Sequence, residues 1–346
     1  MKLNAVEFVK RVMADGIRLG VSDVHIDPFP AGSTVRFRID GLLQHFCDIP
    51  QPIHSEVIAR IKILAGLRTD VHVTPQDGRF RHEECDIRVS ILPTHHGENA
   101  VIRILASPKS DLTLADLGFS ANDAGRIEKI LARKQGLILV TGPTGSGKTT
   151  TLYALLAMLN KSETSIVTLE DPVEYALKGI SQVHVNSKYG VSFSSGLRAI
   201  LRQDPDIIMV GEIRDAETAR IAVHSALTGH LVLSTLHTNS AASAVPRLLD
   251  MGVESYLSAA TLSLIIGQRL IRKKDKDSPS YKGRVGIYET LVVDDDIRKT
   301  ILNRSPADEI ADKARERGMR TMHEDGMEKV EQGMTTREEL IRVLHE

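Results

Sequence analysis

The chain has 346 residues, 42% hydrophobic and 26% charged, with a formal net charge of −1. That length holds two domains with separate cores, and the near-neutral balance supplies no overall field towards nucleic acid or anionic lipid. Two cysteines, Cys47 and Cys85, without a CxxC pair exclude a thiolate zinc site, argue against a disulfide framework and suit a reducing cytoplasm.

The first twenty residues place Val6, Val9, Val12, Met13 and Ile17 at helical spacing. They lack the apolar core of a signal peptide, and no later run approaches the ~20 apolar residues that cross a bilayer. A short strand, SDVHIDPF, follows. STVRFRIDGLLQHF alternates around Asp40-Gly41, a hairpin signal. Val35, Phe37 and Ile39 face one way there, and Arg36 and Arg38 the other. SEVIARIKILAGL is helical with Gly66 capping its end, and CDIRVSILPTHHGENAVIRIL reads as two strands around His95-His96. Residues 1–105 are therefore expected to form a small α+β domain. Residues 106–118, with Pro, Ser and charges, read as a linker, and 119–346 as the second domain.

From residue 120 apolar strands alternate with helices: LILVT, SIVTLED, DIIMVGE and HLVLSTLH between helical segments. This predicts a parallel sheet covered on both faces, an α/β fold. Past residue 250 the pattern reads as mostly helical, with GRVGIYE as one late strand. RKKDKD, 272–277, reads as a solvated loop.

GPTGSGKTT matches G-x-x-x-x-G-K-[ST] between a strand and a helix, the context the mechanism of a phosphate cradle demands. Gly142, Pro143, Thr144, Gly145, Ser146, Gly147, Lys148, Thr149 and Thr150 form the candidate nucleotide site. Backbone N–H groups and the helix N-terminus would surround phosphate oxygens. Lys148 would reach the β- and γ-phosphates, and the Thr149 hydroxyl would ligate magnesium.

In DPDIIMVGEIRD, Asp206 precedes the strand and so lies roughly 20 Å from the phosphate end of the sheet. Glu212 follows the strand, where open α/β sheets bind ligands, and is the candidate to position or deprotonate the attacking water. Glu170, in TLEDPVEY, is the candidate to organise magnesium waters. Asp171 either shares that role or caps the turn. Arg198 and Arg202 share a helical face at i,i+4, a repulsive spacing; they face an anion or are snorkelling surface arginines. Arg103 shares a strand face with Val101 and Leu105. It awaits either a phosphate or a structural salt bridge. His230 and His237 bracket the strand LVLSTL, and its polar exit favours a phosphate-sensing role for His237 over a core histidine.

SDVHIDP, PQDGRF, DIRVSILPTHHGENAVIRIL, the P-loop, LEDPVEY, LRAILRQDPDIIMVGEIRDAETA and TGHLVLSTLHTN occur in order over residues 22–290. Together they resemble the type II secretion and type IV pilus assembly ATPases, with the assembly branch as the best match. The resemblance implies a RecA-like P-loop NTPase motor domain preceded by a PAS-like α+β domain. It implies a homo-hexamer that hydrolyses ATP with Mg2+ and drives pilin or pseudopilin subunits through an inner-membrane platform protein. Arg88 and Arg103 match arginines that reach the phosphates from the first domain, and Arg198 and Arg202 match motor-domain arginines. Glu212 matches the catalytic glutamate and Glu170 the Asp-box acid. The extra N-terminal domain of many members is expected to have no counterpart here, and the segment KKDKDSPSYK stands where assembly members often carry a four-cysteine zinc loop, so no zinc is expected. Localisation is expected at the inner face of the cytoplasmic membrane, peripheral through partners. Retraction and DNA uptake remain alternatives. A nucleic-acid translocase is disfavoured, because tryptophan is absent and aromatics make up 4%.

Overall fold

The computed structural model describes residues 4–83, 85–105, 112–275 and 280–345. The chain divides into two compact units, Met1–Lys109 and Ser110–Glu346.

The first unit runs α1 (Ala5–Arg18), β1 (Asp23–Phe29), β2 (Gly32–Ile39), β3 (Leu42–Pro50), α2 (Gln51–Leu64), β4 (Gln76–His82), β5 (Cys85–Thr94) and β6 (Gly97–Leu105). Asn4 starts α1 by accepting a hydrogen bond from the Val6 N–H at 2.9 Å. The helix buries Phe8, Val9, Val12 and Met13, while Val6 turns to solvent. The Asp40-Gly41 turn takes φ values of 49° and 90°, the doubly left-handed geometry that matches strand twist. All pairings are antiparallel, in the order β3-β2-β1-β6-β5-β4. One face carries Val24, Ile26, Val35, Phe37, Ile87, Val89, Ile102 and Ile104 into a core with α1 and α2.

Lys62 of α2 lies fully inside this unit. Its ammonium donates to the Val71 carbonyl at 2.7 Å and pairs with Glu98 at 2.6 Å, and Glu98 also meets His72 at 2.8 Å. Removing one member of a buried pair strands the other. Lys62→Ala is therefore expected to cost ~3–5 kcal/mol of unfolding free energy in urea titrations. The double change Lys62→Met/Glu98→Gln is expected to cost less than Lys62→Ala alone.

The second unit begins with α3 (Leu114–Leu117) and α4 (Ala121–Leu131). The expected linker thus ends earlier than residue 118. Thr113 and Asp116 form a capping box, Leu114 is buried, and the Tyr288 hydroxyl donates to the Leu117 carbonyl at 3.0 Å. Residues 106–111 of that segment lie outside the described residues.

Then follow β7 (Gly136–Thr141), α5 (Lys148–Leu159), β8 (Ile166–Glu170), β9 (Ser181–His184), α6 (Phe193–Ile200), β10 (Ile207–Val210), α7 (Ala216–Leu227) and β11 (Leu231–Leu236). After α8 (Ala244–Asp250) and α9 (Ser255–Thr261) come β12 (Leu262–Lys274) and β13 (Tyr281–Val292). The described chain closes with α10 (Asp295–Leu302), α11 (Ala307–Glu316), α12 (Met322–Glu331) and α13 (Arg337–Leu344). The sheet order is β13-β12-β7-β11-β10-β8-β9, parallel except for β13.

Alternate residues of each central strand feed opposite faces. Leu137 and Leu139 pack with Leu197, Ala222 and Ile297, whereas Ile138 and Val140 pack with Ile127, Leu152 and Leu155. The expectation of one strand past residue 250 is corrected: two long strands stand there, and Arg272–Lys274 belong to β12 rather than to a loop. Residues 276–279 of the expected charged segment lie outside the described residues.

Candidate nucleotide site

The site grows from the carboxyl ends of the parallel strands. β7 ends at Thr141 and the chain turns through the P-loop into α5. Gly142, Gly145 and Gly147 take φ values of 153°, 78° and 86°, the region that disfavours side chains. A Cβ at Gly142 would also lie 2.5 Å from the Gln268 carbonyl oxygen. Pro143, Thr144, Gly145 and Thr149 are exposed, and Ser146 is buried. The Ser146 hydroxyl has no hydrogen-bond partner among the described residues. Lys148 turns back so that its ammonium donates to the Gly142 and Pro143 carbonyls at 2.8 and 2.9 Å. Burial pushes that ammonium down to about 8, against the pull of Glu212 and with help from the charge of Arg269. Left-handed glycines, a helix N-terminus, an orphaned hydroxyl and a desolvated lysine together fit a polyphosphate.

Glu212 comes to the same end of the sheet through the polar exit of β11. The Ser234 hydroxyl donates to the Val210 carbonyl at 2.7 Å and Thr235 to the Gly211 carbonyl at 2.8 Å. The Ile213 N–H donates to the Thr235 carbonyl at 3.0 Å. These bonds fix the turn that carries Glu212. A Cβ at Gly211 would lie 3.2 Å from the Leu169 carbonyl oxygen, a tight contact. The Glu212 side chain is 15% exposed, pairs with Arg214 at 2.5 Å and meets His237 Nε2 at 3.5 Å. Burial, then the charge of Lys148, holds the His237 imidazole below its usual range. Lys148, Glu212 and His237 therefore form one electrostatic group, and Thr150 lies on the first turn of α5.

Other expected residues stand elsewhere. His230 precedes β11, and its Nδ1 lies 3.0 Å from the Ser225 carbonyl. This is the amino end of the sheet, shared with Asp206, whose carboxylate accepts from the Ser165 N–H at 2.7 Å. His230 does not join the group. Glu170 is buried and its oxygens are engaged by the Tyr153 hydroxyl, by Thr168 Oγ1 at 2.5 Å and by Gln182 at 3.1 Å. Burial and this carboxylate push the Tyr153 phenol up. Those partners tie Glu170 to α5, β8 and β9 at the carboxyl end of β8.

Arg198 finds its anion within the chain, pairing with Glu217 at 2.6 Å. Arg202 sits in a 3-10 turn beyond α6 and donates to the Arg198 carbonyl at 2.9 Å. In the first unit Arg103 points from the exposed face of β6, 60% exposed, and pairs with Asp23 at 2.9 Å. It shares that outer face with the half-buried Val101 and Leu105, while Ala100, Ile102 and Ile104 form the inner one. Arg88 and Arg103 are direct cross-strand partners.

Arg214 and Gln268 were not singled out from the sequence. Arg214 lies two residues after Glu212, and that spacing could have signalled it. Gln268 gives no such signal, because its strand was read as helix.

The sequence model of the family "Type II/IV secretion system protein" matches residues 3–342. The chain belongs to this family. It is 44% identical to type II secretion system protein E of Xanthomonas campestris pv. campestris, over 98% of this chain and 67% of that protein. It is 42% identical to the type IV pilus assembly ATPase PilB of Thermus thermophilus, over 97% of this chain and 42% of that one. Among solved structures, the pilus retraction motor PilT with bound ADP matches with a TM-score of 0.71 at 30% identity, covering 96% of this chain and 95% of that chain. As a member of the secretion ATPase family, the chain is an α/β, RecA-like P-loop motor with a small α+β domain before it, and an enzyme that hydrolyses ATP.

Proposed function

We propose that this secretion-family ATPase works as a homo-hexamer, docks on an inner-membrane platform protein and moves pilin or pseudopilin subunits. The observation that supports an active motor is the convergence of Lys148, Glu212 and His237 at the P-loop end of the sheet. In this reading the P-loop amides and Lys148 hold the β- and γ-phosphates. Glu212, oriented by Arg214 and His237, takes the proton of the attacking water. The exposed Thr149 hydroxyl is the protein's donor to magnesium, which when bound offsets charge on the phosphate oxygens. Arg88, Arg103, Arg198 and Arg202 are assigned to phosphate recognition during the cycle, and the ion pairs of Arg103 and Arg198 must then exchange carboxylate for phosphate.

Assembly is favoured over retraction because the secretion and assembly relatives are more similar in sequence than the retraction motor. Among the described residues no helix is long and apolar enough to cross a membrane, and peripheral placement through the platform protein is part of the proposal. Light scattering with a parallel phosphate-release assay tests the ring. Activity per chain is expected to rise as species of six times 38.0 kDa form. Full activity in a strictly monomeric preparation overturns the hexamer, and stimulation by DNA would favour a translocase instead.

A further inference from the structure

β12 outruns β7. Gly267 pairs with Thr141, the last residue of β7, so Gln268 stands level with the first P-loop glycine. Its side chain is 1% exposed and both ends are committed. Nε2 donates to the Ser146 carbonyl at 2.6 Å, and Oε1 accepts from the Thr151 hydroxyl at 2.8 Å. The orientation of the amide is forced, because a carbonyl only accepts and so must face the NH2. One planar group thus ties the helix-side end of the P-loop to the first turn of α5. Gly142 and Gly147 pack on the same residue, with virtual Cβ atoms 2.5 Å from its carbonyl oxygen and 3.3 Å from Nε2.

A glycine-rich loop is conformationally free and would have to be ordered by each incoming phosphate. A buried bridge, hydrogen-bonded at both ends, removes that cost before binding. We infer that Gln268 is a positioning residue for nucleotide binding, holding the P-loop amides in their phosphate-receiving arrangement through Ser146 and Thr151. This rests on the P-loop being the nucleotide site.

The test measures ADP affinity by fluorescence titration, kcat at saturating ATP, and melting of the nucleotide-free protein. Gln268→Glu keeps the shape but sets an acceptor against the Ser146 carbonyl, an uncompensated buried contact. It is expected to weaken ADP by about tenfold or more, with a smaller change in kcat and some lowering of nucleotide-free melting, which the Thr151 pair below separates from the effect on binding. Thr151→Val removes the other arm and should weaken ADP by about threefold or more, while Thr151→Ser, which keeps the hydroxyl, restores binding. ADP affinities within twofold of the unaltered chain overturn the inference, as does lost nucleotide-free stability with unchanged affinity. If Gln268→Glu does not fold, the Thr151→Val and Thr151→Ser pair decides alone. Failure of the unaltered chain to bind ADP would instead sink the nucleotide site itself.

Discussion

Glu212→Gln is expected to bind nucleotide as the unaltered chain does and to release phosphate about 10²–10⁴ times more slowly. The change is isosteric, so the Ser234, Thr235 and Ile213 bonds that build the turn are untouched. What disappears is the negative charge and the proton-accepting oxygen. Arg214, at 2.5 Å, then loses its carboxylate partner, but at 61% exposure water replaces the pair at little cost. A second consequence separates this assignment from a structural one. The Glu212 carboxylate supports the Lys148 charge against burial. Without it the lysine titrates lower, and the affinity for ADP should begin to fall at a lower pH than in the unaltered protein. Turnover within fivefold of the unaltered chain would remove Glu212 from the chemistry.

The P-loop and the strand carrying Glu212 were legible because each joins a short apolar run to a polar element whose chemistry has one purpose. A glycine-rich turn between a buried strand and a helix has few other uses, and an acid at the carboxyl end of a parallel strand faces the ligand side by topology. The first unit was legible through alternation, as in Val35, Arg36, Phe37 and Arg38.

What stayed hidden has physical reasons. β12 was read as helix because α9 passes into it at Leu262 with no glycine or proline between them, and SYLSAATLSLIIGQRLI is one apolar run without a decisive period. With that strand went Gln268. Glu170 and Glu212 look alike in sequence, each an acid closing a buried strand. Only the partners separate them: three neutral donors enclose Glu170, whereas Glu212 faces charged groups. His230 and His237 likewise look like a pair, yet six strand residues lie between them and only one can stand at the phosphate end.

Lys148→Ala is expected to reduce ATP and ADP affinity by about 10²–10⁴-fold, the worth of two charge-assisted hydrogen bonds at ~1.5–3 kcal/mol each. The nucleotide-free fold should tolerate it, since the ammonium's present partners are two P-loop carbonyls that water can serve. The lysine also makes binding depend on pH, with a sign fixed by the geometry. In the nucleotide-free protein burial holds its pKa at about 8, with Glu212 opposing and Arg269 adding to the fall. A bound polyphosphate stabilises the ammonium and raises that pKa. Below pH 8 the lysine is already charged and affinity is level. Above it, binding must take up a proton, so affinity falls by up to about tenfold per pH unit until the pKa of the complex is reached. Calorimetry of ADP binding at pH 9 in two buffers of different ionisation enthalpy should show net proton uptake approaching one per site. Lys148→Arg is the control: guanidinium stays charged throughout, and its affinity, whatever its absolute level, should be flat from pH 7.5 to 9.5 on the same axis. An unaltered protein with a flat profile over that range would show that burial does not hold the Lys148 pKa near 8, whereas affinity within tenfold of the unaltered chain in Lys148→Ala would show that Lys148 does not meet the phosphates.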